Sequence, residues 1–93
     1  MKIILSALQS KLIDAWNDFF KEEQNVLILE KDITKIECDA VVSPANSFGF
    51  MDGGLDYALS ERFGWDLEKR LQKIIKELPE GELLVGQALV LET

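Results

Sequence analysis

The sequence predicts an α/β layered domain, and three observations carry that prediction. Short runs at residues 2–5, 26–29, 41–42 and 88–91, apolar throughout apart from Lys2, read as strands. Between them lie longer stretches whose apolar residues return at helical spacing. Glycine and proline fall at the borders, at Pro44, Gly64, Pro79 and Gly81, where an element has to stop. The predicted order is β-α-β-β-α-α-β.

Residues 2–5 open the chain as a short strand. Ser6 is a suitable helix N-cap, and Gln9 three residues later completes a capping-box pattern. Leu8, Leu12, Ala15, Trp16, Phe19 and Phe20 then mark one helical face, with Lys11, Asp14, Asn17, Asp18 and Lys21 on the other. Trp16 and Phe19 read as core packing, although aromatic rings at such spacing can also stack on a base. Residues 26–29 form a second strand, and the polar run 30–34 leaves it. Asp32 falls just past the strand's carboxyl end, where open α/β sheets bind ligands. The same position suits a turn aspartate that bonds its own backbone.

Cys38 has no histidine or other base beside it and reads as a small buried hydrophobe. Val41-Val42 begins a strand that Pro44 ends, because proline donates no ladder hydrogen bond. A loop containing Gly49, Gly53 and Gly54 follows, and Leu55, Ala58, Leu59 and Phe63 predict a helix that Gly64 terminates. Trp65-Asp66 opens another helix through Leu67, Leu71, Ile74, Ile75 and Leu78, stopped by Pro79. Its charged residues Glu68, Lys69, Arg70, Lys73, Lys76 and Glu77 form a solvated face. Residues 80–82 turn the chain into a final strand at 88–91.

Composition excludes several classes of function. At 93 residues, 47% hydrophobic and 29% charged, the chain is globular material for one small domain. A formal net charge of -7 opposes any role in coating nucleic acid, which needs clustered Lys and Arg. No histidine and one cysteine remove Ser-His-Asp and Cys-His catalysis, an internal disulfide and a zinc site. No run approaches the roughly 20 apolar residues of a membrane span, and no signal peptide is evident. A cytoplasmic setting is expected, with no metal and no cofactor.

The central feature is therefore residues 41–56. A strand, a glycine-rich loop and a helix in sequence aim backbone N–H groups and a positive dipole end at an anion. Asn46 and Asp56 stand at the two ends of that loop.

Three sequence elements in order resemble the macrodomain family, modules that bind ADP-ribose and include enzymes that process its phosphorylated form. They are Asp32-Ile33-Thr34 after a strand, the apolar run ending in Ala45-Asn46, and Gly53-Gly54-Leu55-Asp56 entering a helix. The similarity runs from about residue 26 to the C-terminus. Phe48-Gly49-Phe50-Met51-Asp52 departs from the family's glycine run, so Asp52 stands where glycine is usual, as in a bacterial or phage-related branch. The family's C-terminal half, with further strands and a second glycine-rich loop, has no counterpart here. The resemblance thus implies a single partial macrodomain over residues 1–93, three-layer α/β/α with a mixed sheet, incomplete at its C-terminus.

The resemblance also implies roles for residues. Asp32, helped by the Ile33 backbone, would accept from the adenine amino group. Ala45 and Leu55 would line the cleft, and Asn46 would meet the distal ribose hydroxyls. Gly53 and Gly54 would let the main chain approach the pyrophosphate or ribose, where a Cβ would clash. Asp56 would orient water with Asn46 in a hydrolytic member, or else only complement the helix dipole. Two functions follow, cofactor-independent hydrolysis of ADP-ribosyl groups or ADP-ribose derivatives, and ADP-ribose binding without turnover. A third reading is a fragment that pairs through exposed sheet edges with another copy or a complementing chain. Its partners would be ADP-ribose or an ADP-ribosylated macromolecule, with no membrane involved.

Overall fold

The computed structural model describes all 93 residues and shows a mixed α/β protein. The chain divides into two compact units, Met1–Asp39 and Ala40–Thr93.

The first unit is built on a parallel strand pair. Strand β1 spans Ile3–Ala7, helix α1 spans Ser10–Phe19, and strand β2 spans Val26–Glu30. Ile3 pairs with Val26 and Ala7 with Glu30, so five residues match in register. The ladder is extended by Ile3 N–H to Asn25 O at 2.8 Å and Lys31 N–H to Ala7 O at 3.1 Å. Parallel strands require a crossover, and α1 supplies it.

The expected helix start moves. Ser6 remains in β1, paired with Leu29, and its hydroxyl donates to the Lys31 carbonyl. Gln9 is the residue that precedes α1, with no side-chain cap. The residue that α1 buries is Ile13, one position away from the expected apolar row. Phe19 is 81% exposed and rests edge-on against Phe20 at 4.9 Å, so it is not a core residue.

In the second unit, helix α2 spans Gly54–Phe63 and helix α3 spans Asp66–Lys76. Gly64 ends α2 as expected, at φ 95, with its N–H on Ser60 O at 2.8 Å. Asp66 and Glu68 sit in the first turn of α3 and Lys73 and Lys76 in the last, each matching the dipole. Met51, Leu59, Leu71 and Ile75 form the core, with Val41, Ala45, Leu55, Phe63, Leu67, Leu83, Leu89 and Leu91 packed against it.

Two expected strands do not form. Residues 41–42 and 88–91 belong to no ladder, and the only sheet is the parallel pair β1-β2 rather than a larger mixed sheet. Their side chains nevertheless alternate. Val41, Ser43 and Ala45 are half-buried while Val42 is 86% exposed, and Leu89 and Leu91 pack inward while Val90 is 96% exposed. The binary pattern survives without its hydrogen-bonding partner, because strand propensity is satisfied by packing against the helices. Cys38 is also a correction. It is exposed, in a segment from 37 to 40 that is exposed throughout. No helix is long and apolar enough to cross a membrane.

Candidate functional site

The eight residues singled out by sequence fall in both units. Asp32 and Ile33 belong to the first, and Ala45, Asn46, Gly53, Gly54, Leu55 and Asp56 to the second.

Asp32 caps a single 3₁₀ turn over Ile33–Lys35. Its Oδ1 accepts from the Thr34 N–H at 2.9 Å and the Thr34 hydroxyl at 2.7 Å. The turn reading of the sequence is therefore realised, an Asx arrangement in which the side chain bonds its own backbone two residues on. The Thr34 hydroxyl, then the Thr34 N–H, and to a smaller degree Lys35, hold this carboxyl below its ordinary 3.8, against a small opposing effect of burial. Both bonds use Oδ1, which leaves Oδ2 as the oxygen able to meet a ligand.

The loop after Ala45 is organised by Asn46. Its Oδ1 accepts from the N–H groups of Phe48 at 3.0 Å and Phe50 at 3.2 Å, and its Nδ2 donates to Phe50 O at 3.0 Å. Gly49 N–H closes the turn on Asn46 O at 3.1 Å. The amide oxygen has thus used both lone pairs internally, and one Nδ2 hydrogen remains. Gly49 lies at φ 81, and an added Cβ would come within 2.9 Å of Ile75 Cδ1 and 3.2 Å of Leu71 Cγ. Glycine is required there on both counts.

More distant residues pin the same loop. The Ser47 hydroxyl donates to Glu82 Oε2 at 2.8 Å, and Leu83 N–H donates to Ser47 O at 2.8 Å. Met51 is held on both sides of its backbone. Its N–H donates to Glu68 Oε2 at 2.6 Å, and its carbonyl accepts from the Ser60 hydroxyl at 2.9 Å. Ser60 is fully buried.

The next residues are open. A Cβ built on Gly53 or Gly54 would meet no atom of the chain within 4 Å. Gly53 has an ordinary φ of -142, whereas Gly54 is at φ 57, where glycine is favoured. No side chain caps α2, and no protein acceptor meets the N–H groups of Gly54, Leu55 or Asp56. Leu55 and Ala45 pack against the core.

Asp56 lies in the first turn of α2 and is only 7% exposed. One of its oxygens, Oδ1, accepts from the Ser43 hydroxyl. Oδ2 has no hydrogen bond, yet no buried side-chain polar atom of the protein lacks a partner, so Oδ2 reaches solvent. Ser43, Ser60 and Glu68 were not legible as site residues from local pattern. They join the loop from 13, 9 and 17 positions away in sequence.

Elsewhere on the second unit, an open depression of about 390 Å³ is lined by Lys69, Gln72, Lys73, Lys76 and Glu77 of α3 and its end. It includes none of the loop residues. No group of three or more Cys, Asp or Glu side chains gathers in a way that could hold a metal ion.

Comparison with known proteins gives a partial answer. A macro domain-containing protein of Listeria monocytogenes is 36% identical over 66 residues, 68% of this chain and 38% of its own. The macrodomain resemblance has a named counterpart. An uncharacterized protein of Saccharolobus solfataricus is 35% identical over 66 residues, 68% of this chain and 37% of its own. Another from Sulfurisphaera tokodaii is 33% identical over 66 residues, 68% of this chain and 36% of its own. The matched stretch is thus little more than a third of each relative's length. No family model matches the chain. No solved structure matches it significantly.

Proposed function

We propose that this chain carries the ADP-ribose-binding loop of a macrodomain, with the phosphate-bearing end of the ligand at the start of α2. The observation that carries the proposal is the uncapped α2 terminus. Unpaired N–H groups at Gly54, Leu55 and Asp56 follow two glycines that put no side chain into the space before them. Such a terminus suits an anion even on a chain of net charge -7, because the donors are backbone and the dipole is local. The likeness to the Listeria protein supports the same reading.

The resemblance in sequence would give Asp32 and Ile33 of the first unit to the adenine, and Thr34 leaves Asp32 Oδ2 unused. Asn46 acts first as the loop's organiser and offers the ribose its remaining Nδ2 hydrogen. Gly53 and Gly54 let the pyrophosphate come close to the main chain, and Ala45 and Leu55 support the loop from the core side. No cofactor is involved.

Asp56 favours a hydrolytic form of this function over binding alone. A carboxylate with one oxygen fixed and the other open can orient a water or a ligand hydroxyl. Hydrolysis would form a bond from water oxygen to the ADP-ribosyl carbon and break the bond to the modified macromolecule. The water's proton would leave with the released group.

Calorimetry with ADP-ribose tests the binding. A dissociation constant below about 0.1 mM is expected, weakened at least about tenfold in Asp32→Ala. No heat of binding from folded protein would overturn the proposal. Release of ADP-ribose from a mono-ADP-ribosylated protein tests hydrolysis, with Asp56→Ala as the control. Equal rates in the two would leave binding alone.

A further inference from the structure

We infer that Ser43 is a positioning residue whose hydroxyl fixes the Asp56 carboxylate for its ligand. The inference deepens the proposed function and rests on that reading for the ligand's identity.

Three features of the structure support it. Val41, Ser43 and Ala45 occupy the inward positions of an alternating segment, and Ser43 is the polar one among them. A hydroxyl turned inward needs a partner, since an unpaired one has lost its water without compensation. That partner is Asp56 Oδ1, on another element and 13 residues away. Asp56 in turn has no other hydrogen bond to fix it, and of its apolar neighbours Leu59 is a core residue and Leu55 packs against the core. The serine therefore holds one oxygen of the Asp56 carboxylate and leaves the other open. Removing the hydroxyl takes away the hydrogen bond that holds the Asp56 rotamer without removing the carboxylate.

Ser43 is not assigned a bond to the reacting atoms. Sequence reading passed over it because it lies before Pro44, outside the glycine-rich turn, and shows its role only through contact with α2.

The test compares wild type, Ser43→Ala and Ser43→Thr in three measurements. These are ADP-ribose affinity by calorimetry, steady-state release of ADP-ribose from a mono-ADP-ribosylated protein, and NMR three-bond couplings that report the Asp56 rotamer. In Ser43→Ala the Asp56 couplings should average over rotamers. Its kcat should fall about tenfold, the scale of one hydrogen bond to a carboxylate, with KM within about twofold. Ser43→Thr keeps the hydroxyl and should restore a single rotamer and most of kcat. A single Asp56 rotamer in Ser43→Ala overturns the inference, as does failure of threonine to restore it. Should Ser43→Ala unfold, the Thr variant decides alone, a fixed rotamer supporting the inference and an averaged one overturning it. Wild type that neither binds nor releases ADP-ribose overturns the proposed ligand. The couplings then still decide whether Ser43 fixes Asp56.

Discussion

Residues 46–51 and residues 52–54 are consecutive stretches of one loop held in opposite ways. In the first, Asn46 bonds three backbone groups of its own turn, Ser47 is tied to Glu82 and Leu83, and Met51 is clamped by Glu68 and Ser60. In the second, two glycines face open space and α2 begins without a cap. The pinned stretch has spent most of its bonded polar groups inside the protein, and the open stretch has donors left over. A binding loop needs both, because a preorganised backbone loses less freedom when ligand arrives.

If that contrast is real, substitutions in the pinned stretch should cost stability and those in the open stretch should cost binding. Gly49→Ala should have the largest effect on stability. Its φ of 81 disfavours any side chain, and Ile75, against which the new Cβ would press, is itself buried. Together these should cost roughly 2–4 kcal/mol, read from urea unfolding midpoints. A loss under about 0.5 kcal/mol would show that the pinned stretch can shift freely.

Ser60→Ala should come next. It strips the Met51 carbonyl of its donor in a fully buried place. The expected loss is about 1–3 kcal/mol, the cost of a buried acceptor left unpaired. Neutral behaviour would mean the Met51 carbonyl finds another donor.

How far the sequence disclosed this arrangement depends on the range of the interactions. Local signals read true. Gly64 stops α2, residues 26–29 fall within β2, and Asp32 makes the turn that its neighbours Ile33 and Thr34 suggest. Features that need a remote partner did not. Val41-Val42 has strand composition yet no ladder, because pairing depends on a neighbour that composition cannot supply. Ser6 looked like a helix cap, but β1 runs through it because Leu29 is there to pair with. Of the site, Asn46, Gly53, Gly54 and Asp56 were visible as a motif. The residues that hold that motif, Ser43, Ser60 and Glu68, look unremarkable in one dimension and acquire meaning only by contact.

The smallest expected effect concerns the turn at Asp32, which is self-pinned like residues 46–51. Its folded carboxyl is held below 3.8 by the Thr34 hydroxyl and N–H. The turn's contribution to stability is therefore complete above pH 3.8 and lost as pH falls through the lowered folded value. The Thr34 amide resonance should stay fixed down to that point and move below it. In Thr34→Ala the Asp32 carboxyl should titrate at higher pH than in wild type. An Asp32 titration unchanged by that substitution would remove Thr34 as the cause.

The contrast between pinned and open stretches is tested most directly at Gly53. Its φ of -142 suits any residue and the space beside it is empty, so Gly53→Glu should fold as wild type does. The added carboxylate would stand where the ligand's phosphates are proposed to bind. ADP-ribose titrated into both proteins by calorimetry should bind the wild type and give no measurable heat with Gly53→Glu, while their circular dichroism spectra coincide. Equal affinity in the two folded proteins would contradict the account, because the open stretch would then not face the ligand.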